Sequence, residues 1–186
     1  MLIGAYSYGK SNDVKDIEKG LIHYRYTSNT YGDEDYELFV QEEFNEFQNT
    51  KQRFLVGGNF RERFPHFDRL FVGAGLFYEN ISPEKNTQDH AREHIRYNLY
   101  TAFKHKFNEN IAINGLIYFQ PSIFDIKNSN WVKLDDFRLT SKFTLVNKLT
   151  DYLNFNTNLN YSYISKPFIG IEKDDLKLTI GFSYKI

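Results

Sequence analysis

The sequence predicts an all-β protein, an antiparallel up-and-down transmembrane β-barrel, and three observations lead to this fold class. First, hydrophobic residues occupy every second position in one segment after another, most clearly from Leu176 to Ile186. This is the pattern of a strand with one apolar and one polar face. Second, helical periodicity is not sustained anywhere along the chain. Third, short and long connections alternate in the second half, as they do in outer-membrane barrels.

Ten strands can be read in order along the chain. Their predicted spans are 1–9, 19–28, 35–48, 52–62, 69–81, 94–106, 111–122, 136–146, 152–163 and 175–186. The third strand places Leu38, Val40 and Phe44 on its outward face, and Glu42 falls on the same face. A carboxylate costs little near the edge of a membrane, so we expect Glu42 to lie near the outer interface.

From the fourth to the ninth strand, the outward face is consistently apolar. Its members are Phe54, Val56 and Phe60; Leu70, Val72, Ala74, Leu76 and Tyr78; Ile95, Tyr97, Leu99 and Phe103; Ile111, Ile113, Ile117 and Phe119; Phe137, Leu139, Phe143 and Leu145; Leu153, Phe155, Leu159, Tyr161 and Tyr163. The opposite face is polar and includes four alternating asparagines from Asn154 to Asn160. Asparagine is a poor strand former, so this face suits a hydrated interior.

The connections favour a membrane barrel over a soluble one. They are long at 82–93, 123–135 and 164–174, and tight at 63–68, 108–110 and 147–151. Outer-membrane barrels have long outer loops and short periplasmic turns, an asymmetry that a soluble barrel has no reason to show. The link at 49–51 departs from this rule because it is short where an outer loop is expected.

Composition narrows the class of function further. The 23 basic and 24 acidic residues nearly balance, which argues against a nucleic-acid-binding protein. The 18 Phe and 14 Tyr favour strands and suit aromatic girdles at membrane interfaces. No cysteine is present, so thiol chemistry and disulfides are excluded, and no segment is apolar for the roughly 18 residues of a membrane helix. The first strand starts at the first residue, so we expect a mature or N-terminally shortened form.

Several short motifs resemble an outer-membrane barrel family, the family of unknown function 481. They are Tyr36-Glu-Leu-Phe-Val-Gln41, Val72-Gly-Ala-Gly-Leu-Phe-Tyr-Glu79, Tyr118-Phe-Gln-Pro121, Asp136-Phe-Arg138 and Gly181-Phe-Ser-Tyr184. The founding members are described as salt-stress-induced outer-membrane proteins. The resemblance implies a barrel in the outer membrane, with a further N-terminal hairpin and about 12 strands in the full-length protein. It implies no settled activity. The alternating C-terminal strand also resembles the assembly signal of Gram-negative outer-membrane proteins, although Ile186 stands where most signals have Phe or Trp.

Folding the predicted strands at their turns brings inward residues together in a lumen belt. Its members are Glu43, Arg53, Glu79, Arg96, Gln120, Arg138, Asn160 and Lys177. The expected neighbours are Arg53 with Glu79, Glu79 with Arg96, Arg96 with Gln120, Gln120 with Arg138, Arg138 with Asn160, Asn160 with Lys177, and Glu43 or Asn45 with Arg53. Three interpretations remain open: side chains that pair and fill a narrow interior, a selectivity ring in a pore, or a small-ligand site. Ten to twelve strands lie nearer the filled end of barrel widths, and Phe71, Phe77, Tyr100 and Tyr118 also face inward.

Signals for an enzyme are weak. His90 and His94 enclose an acidic residue, but not in a metalloprotease order, and Ser7, Ser141, Ser162 and Ser183 have no histidine in reach for nucleophilic catalysis. We therefore predict a non-enzymatic protein without cofactor or metal.

The whole chain, residues 1–186, is predicted to form one outer-membrane barrel domain of structural or narrow-pore type in a Gram-negative bacterium. Its expected partners are outer-membrane lipid and lipopolysaccharide, the barrel-assembly machinery during insertion, and no nucleic acid. Two alternatives stay open: a soluble or periplasmic lipocalin-like barrel that binds a small apolar ligand, and a subunit of a larger envelope complex.

Overall fold

The computed structural model describes residues 1–11, 14–29, 34–64, 69–84 and 89–184. These residues form eleven strands: β1 (Leu2–Ser11), β2 (Val14–Asn29), β3 (Glu34–Asn45), β4 (Thr50–Phe64), β5 (Arg69–Pro83), β6 (Arg92–Lys106), β7 (Ile111–Asp125), β8 (Asn130–Trp131), β9 (Phe137–Lys148), β10 (Leu153–Ile164) and β11 (Asp174–Tyr184). A single turn of 3-10 helix, Glu46–Gln48, follows β3. The closing residue Ile186 of the predicted assembly signal lies outside the described part of the chain.

All the strands belong to one antiparallel sheet in the order β1-β2-β3-β4-β5-β6-β7-β9-β10-β11, with β8 paired to β7. The prediction of an all-β, up-and-down antiparallel fold is therefore confirmed, and each of the ten predicted strands overlaps a long strand. The two-residue strand β8 was not predicted. In the described residues, β1 and β11 each pair with one neighbour, so backbone hydrogen bonds do not close the sheet on itself.

The sheet nevertheless curls strongly, so that side chains from distant strands meet on its concave side. Tyr100 on β6 donates a hydrogen bond to Glu37 on β3, with Oη 2.6 Å from Oε2. Arg25 on β2 reaches Tyr118 on β7, with Nη2 3.5 Å from Oη. The concave side is therefore a partly enclosed interior, lined by alternate residues of the long strands.

The two ends of the sheet differ. We call the end at which β3, β5, β7 and β10 finish and β4, β6, β9 and β11 begin the long-loop end. At the other end, the short-turn end, β2, β4, β6 and β9 finish, and four residues separate each of them from the next long strand in the chain. Three of the long-loop connections exceed every connection at the opposite end, so the loop asymmetry that the sequence predicts is present.

The distribution of polarity is the reverse of that in a soluble globular protein. Among the described residues, twelve of the buried residues are polar or charged and only seven are hydrophobic. The convex face carries exposed large hydrophobic side chains on every long strand, such as Leu38, Val56, Leu76, Leu99 and Leu178. In the described ranges, no helix is long and apolar enough to cross a membrane.

Charged and polar residues bound this convex apolar face at both ends. On β3 the apolar run lies between Glu34 and Glu42, and both of these side chains are exposed. Glu42 lies three residues before the end of β3 at the long-loop end, and it accepts a hydrogen bond from Gln52 Nε2 at 2.8 Å. The carboxylate on the outward face is thus at the rim of the apolar band rather than in its centre.

Candidate functional site

A buried carboxylate, Glu79, is the centre of the interior near the long-loop end. Its side chain is fully buried, and each of its two oxygens accepts a short hydrogen bond from a different arginine. Arg53 Nε lies 2.6 Å from Oε1, and Arg96 Nε lies 2.5 Å from Oε2. A third arginine, Arg138, approaches Oε1 with Nε at 3.4 Å. Glu79 therefore compensates three guanidinium groups at once.

Two further carboxylates complete this group. Glu43 Oε1 accepts from Arg53 Nη1 at 2.6 Å, and Asp136 Oδ1 accepts from Arg96 Nη2 at 3.0 Å. We call these six residues, Glu43, Arg53, Glu79, Arg96, Asp136 and Arg138, the Glu79 network. Its three positive and three negative charges balance. Charged side chains that are removed from bulk water need such pairing, because an unpaired buried charge is strongly destabilising.

A second buried carboxylate, Glu37, organises the interior nearer the short-turn end. Tyr100 Oη donates to it at 2.6 Å, and Asn59 Nδ2 donates at 3.4 Å. Arg25 and Arg61 form ion pairs with its Oε1 at 3.3 and 3.2 Å. We call these five residues the Glu37 cluster.

Amides and an apolar layer join the two charged groups. Gln120 Nε2 donates to Asn98 Oδ1, and Asn98 Nδ2 donates to Asn59 Oδ1, each at 2.9 Å. The Gln120 carbonyl in turn accepts from Arg96 Nη1 at 3.2 Å. Three buried apolar residues, Phe39, Leu55 and Phe77, pack together beside this amide chain. The half of the interior bordered by β3 to β7 is therefore filled with side chains.

One inward glycine makes this packing feasible. The ring of Tyr100 lies directly over Gly73, so that a Cβ at that position would overlap the ring atoms. A glycine is needed there because Tyr100 must cross the interior to reach Glu37. The adjacent Tyr118 ring packs on Tyr100 with centroids 5.3 Å apart, which narrows the interior further.

The connection 165–173 folds over the long-loop end of the interior. Its Phe168 side chain is buried, and the Arg92 guanidinium lies 4.7 Å from the centre of that ring. Arg92 Nη1 also donates to the Lys166 carbonyl at 2.6 Å. Ile169 N donates to Asp89 Oδ2 at 2.7 Å. This connection therefore covers the Glu79 network from the loop side.

A surface ion pair links the covering connection to its neighbour. Lys166 Nζ donates to Asp135 Oδ2 at 2.9 Å, and both side chains are exposed. The hydrogen bond from Lys166 holds the pKa of the Asp135 carboxyl below its ordinary value.

Open space remains in the interior beside the packed side chains, toward β1, β2 and β9. One cavity of about 370 Å³ has Arg53, Arg138 and Lys142 in its wall. A second cavity of about 430 Å³ shares Arg53 and Lys142 with the first and extends to His23 and Tyr118. The interior is thus partly filled by side chains, and the remaining space lies between them and β1, β2 and β9.

The structure brings six of the eight predicted belt residues together. Glu43, Arg53, Glu79, Arg96 and Arg138 belong to the Glu79 network, and Gln120 accepts from Arg96 through its carbonyl. The remaining two, Asn160 and Lys177, lie opposite each other on β10 and β11, away from the network. Asn160 also pairs with Lys142 of β9.

Three of the predicted neighbour pairs agree with the strand register: Glu43 with Arg53, Gln120 with Arg138 and Asn160 with Lys177. Three others are shifted by two residues. Glu79 lies opposite Leu55 rather than Arg53, and opposite His94 rather than Arg96, while Arg96 lies opposite Ser122 rather than Gln120. A two-residue shift keeps each side chain on the inward face, and arginine is long enough to bridge it, so the contacts form diagonally.

The predicted pairing of Arg138 with Asn160 is wrong by four residues, because Arg138 lies opposite Ile164. The turn between β9 and β10 causes this difference. It lies at 149–152, later than the sequence suggested, since Thr150 Oγ1 accepts hydrogen bonds from Tyr152 N and Leu153 N at 3.2 and 3.0 Å. This hydroxyl-centred turn moves the pairing register along both strands.

Sequence reasoning missed Glu37, Asn59 and Asp136 as interior groups, whereas Asn98 was expected on the inward face beside Arg96. A signal was available, because each missed residue has the same alternate-position parity as a predicted belt residue: Glu37 with Glu43, Asn59 with Arg53, and Asp136 with Arg138. Of the two histidines considered for metal binding, His94 is buried beside Arg96, with Nδ1 3.4 Å from Nη2, while His90 is exposed.

A family model described as "Protein of unknown function, DUF481" matches residues 2–186. No curated protein and no solved structure matches the chain.

Proposed function

This chain belongs to the family of proteins of unknown function DUF481, and from its own geometry we propose that it is an integral outer-membrane β-barrel. The proposed barrel is of structural or narrow-pore type, and its interior is charged and largely filled by side chains. Its surroundings would be outer-membrane lipid and lipopolysaccharide, and it would need the barrel-assembly machinery for insertion.

The inverted polarity carries this proposal. An exposed apolar face in water is unfavourable in proportion to its area, about 25 cal/mol per Å². Every long strand here exposes at least one large hydrophobic side chain on the convex face. The buried charged groups, in contrast, lie in the interior of the curled sheet. Lipid reverses the penalty, because an apolar convex face is the favourable one in hydrocarbon.

On β6 the length of the apolar face agrees with the thickness of a bilayer. On β6 the outward residues between Glu93 and His105 run from Ile95 to Phe103, which is nine residues. A transmembrane strand needs about 9–11 residues when it is tilted by about 45°. The polar residues at each end of this run would meet the two interfaces.

The unpaired edges of β1 and β11 need partners in such an environment. Each unsatisfied backbone group in hydrocarbon costs several kcal/mol, so only closed sheets span membranes. The proposed barrel therefore closes either by direct pairing of β1 with β11 or through additional strands.

A soluble lipid-binding barrel is less well supported. Such a barrel would need an apolar cavity, whereas the first cavity here is bordered mainly by polar and charged side chains and the second combines apolar residues with arginine, lysine and glutamate. It would also leave the apolar convex face in water.

The first test is fractionation. When expressed with an export signal, the protein should sediment with the outer membrane, need detergent for solubility and migrate differently on gels with and without heating. Recovery as a soluble monomer without detergent would refute the proposal.

A matched pair of variants tests the location of the apolar face directly. Leu76 is outward and 48 % exposed in the middle of β5, whereas Glu62 is outward and exposed near the short-turn end of β4. A lysine at the bilayer midplane costs about 2–4 kcal/mol and at the interface about 0–1 kcal/mol. Leu76→Lys should therefore destabilise the folded protein strongly and Glu62→Lys only slightly. Equal, small effects would indicate that the convex face is in water.

A further inference from the structure

We propose that the interior cavity bordered by Arg53, Arg138 and Lys142 is a binding site for a small oxyanion of the phosphate, sulfate or carboxylate class. The site adds a ligand to the interior of the barrel proposed above. The proposed binding site depends on the residues that line the cavity and does not require the protein to lie in a membrane.

The charges on the cavity wall are strongly unequal. Four cationic side chains border the cavity of about 370 Å³, namely Lys19, Arg53, Arg138 and Lys142, against two acidic ones, Glu43 and Asp175. Glu43 is already engaged, because it accepts hydrogen bonds from Arg53 Nη1 and Gln41 Nε2 at 2.6 and 3.0 Å. Glu79 offsets charge on Arg53 and Arg138 from behind the wall, so the excess that an anion would meet comes mainly from Lys19 and Lys142. A cleft lined by an excess of one charge attracts ions of the opposite sign.

Arg53 has donor capacity that the protein leaves unused. It is 8 % exposed, and two of its nitrogens are bonded to Glu43 and Glu79. Its third nitrogen, Nη2, is buried and has no hydrogen-bond partner among the described residues. A buried donor without a partner is costly, and a small shift of the Arg53 side chain toward an acceptor in the cavity would remove that cost.

Arg138 is the second group with unused capacity. Both oxygens of Glu79 already accept short bonds from Arg53 and Arg96, so Arg138 approaches this carboxylate only at 3.4 Å. Its Nε is buried and forms no hydrogen bond to the described residues. Arg138 is therefore held by an ion pair but not by a hydrogen bond at Nε, and it borders the same cavity as Arg53.

The donors present select an oxyanion over a monatomic ion. A guanidinium is a planar fork that matches two oxygens of one phosphate or carboxylate. Lys142 adds a point charge, and Thr140 and Gln120 in the same wall add neutral donors. An anion with several acceptor oxygens can use these groups together, whereas chloride cannot bridge them as a directed acceptor.

The test is binding of inorganic phosphate to the purified, folded protein in detergent micelles, with succinate as a second probe and chloride as the reference at equal ionic strength. Phosphate or succinate, but not chloride, should raise the unfolding temperature and give saturable binding by calorimetry. Saturation by phosphate alone would assign the site to tetrahedral oxyanions, and saturation by succinate alone to carboxylates. No binding of either, or an equal response to chloride, would overturn the proposal.

Two variants and a matched control locate the site. Lys142→Gln should weaken binding about tenfold or more, as expected for loss of a charged hydrogen bond. Lys148→Gln, on the same strand but in an ion pair with Asp151 at the short-turn end, should leave binding unchanged. Arg138→Gln should abolish binding, and heat-modifiable migration would verify that this variant folds. Equal binding by Lys142→Gln and wild type would overturn the proposal, whether or not Arg138→Gln folds.

The experiments distinguish failure of the oxyanion-site proposal from failure of the outer-membrane barrel proposal. A membrane protein that binds no oxyanion would refute the site alone. A soluble protein that binds phosphate through Lys142 would refute the barrel and keep the site.

Discussion

Replacing Glu79 by glutamine is the most informative single perturbation of the interior. The substitution keeps the size of the side chain and removes the one charge that three arginines share. Arg53 and Arg96 would each lose an ionic hydrogen bond of 2.6 or 2.5 Å, and Arg138 would lose the carboxylate that it approaches at 3.4 Å. Three guanidinium groups would then face two carboxylates, Glu43 and Asp136.

The expected cost follows from burial. Glu79 is fully buried, so solvent cannot replace the lost charge. Removing one partner of a buried ion pair typically costs about 3–5 kcal/mol. For a chain of this size, 1 kcal/mol corresponds to about 2–4 °C in melting temperature. We therefore expect Glu79→Gln to lower the unfolding temperature by about 6–20 °C.

The assay is unfolding of the purified protein in detergent, followed by gel mobility and far-ultraviolet circular dichroism. Glu42→Gln is the matched control, because it removes an exposed outward carboxylate whose partner is also exposed. Its effect should stay within about 0.5 kcal/mol. A Glu79→Gln variant as stable as this control would refute the reasoning, since the network would then be hydrated rather than buried.

Conductance of the Glu79→Gln variant in planar bilayers distinguishes an interior filled by paired side chains from a selectivity ring in a pore. A loss of stability without a change in conductance indicates a structural plug. Unchanged stability with a raised anion preference indicates a selectivity ring, because the remaining charge of the network is positive. Adding Arg138→Gln to Glu79→Gln should recover part of the lost stability, about 0.5–3 kcal/mol, because it removes the cation that has become uncompensated.

Three further predictions concern the packing and the covering connection. Gly73→Ala should destabilise the fold by about 1–3 kcal/mol in denaturant titrations, because the added Cβ displaces Tyr100. Arg92→Ala should speed amide hydrogen exchange in residues 165–171 while leaving exchange in the strands unchanged, because that connection loses its guanidinium contacts. Lys166 lowers the pKa of Asp135, so the contact between them should be fully present above the ordinary aspartate pKa. The contact should be lost as the pH falls through the lower pKa that Asp135 has in the folded protein. Amide hydrogen exchange in residues 165–171, measured as a function of pH, should show this loss.

Each of these predictions has a control within the chain. Gly181→Ala places a Cβ in open space and should leave stability nearly unchanged. Equal effects of Gly73→Ala and Gly181→Ala would contradict the crowding argument. Lys127→Ala removes an exposed side-chain contact to the Ala91 carbonyl and should not alter exchange in 165–171. In Asp135→Asn the acid-dependent step should disappear, and its persistence would assign the step to another group.

Much of the fold was predictable because the relevant information is local. Whether a side chain points inward or outward follows from alternation along one strand, which the backbone geometry imposes whatever the neighbours are. Hence the outward positions of Phe54, Val56 and Phe60 and the inward positions of Arg53 and Glu79 could be assigned without a structure. The antiparallel order of the strands followed for the same reason, from turns that join neighbouring segments.

The pairing of inward residues was only partly predictable. The partner of Arg53 on β3 could be narrowed to Glu43 or Asn45 because a short link joins the two strands, and the structure pairs Arg53 with Glu43. The predicted pairing of Arg138 with Asn160 is wrong because the register depends on which residue of the turn accepts the hydrogen bonds. Thr150 accepts them, and the turn therefore lies closer to β10 than the sequence suggested. A shift by an even number of residues is invisible to the alternation pattern, since it leaves every side chain on the same face.

The sequence by itself determined the strands, their order and the faces on which polar and apolar residues lie, because these properties depend on positions within one strand or one turn. Only the tertiary structure decided that Tyr100 of β6 donates to Glu37 of β3, and that one carboxylate serves Arg53, Arg96 and Arg138. These contacts join strands that are not neighbours in the sheet. They depend on how tightly the sheet curls and on which side chains are small enough to let others cross, and neither property is written in the alternation of any single strand.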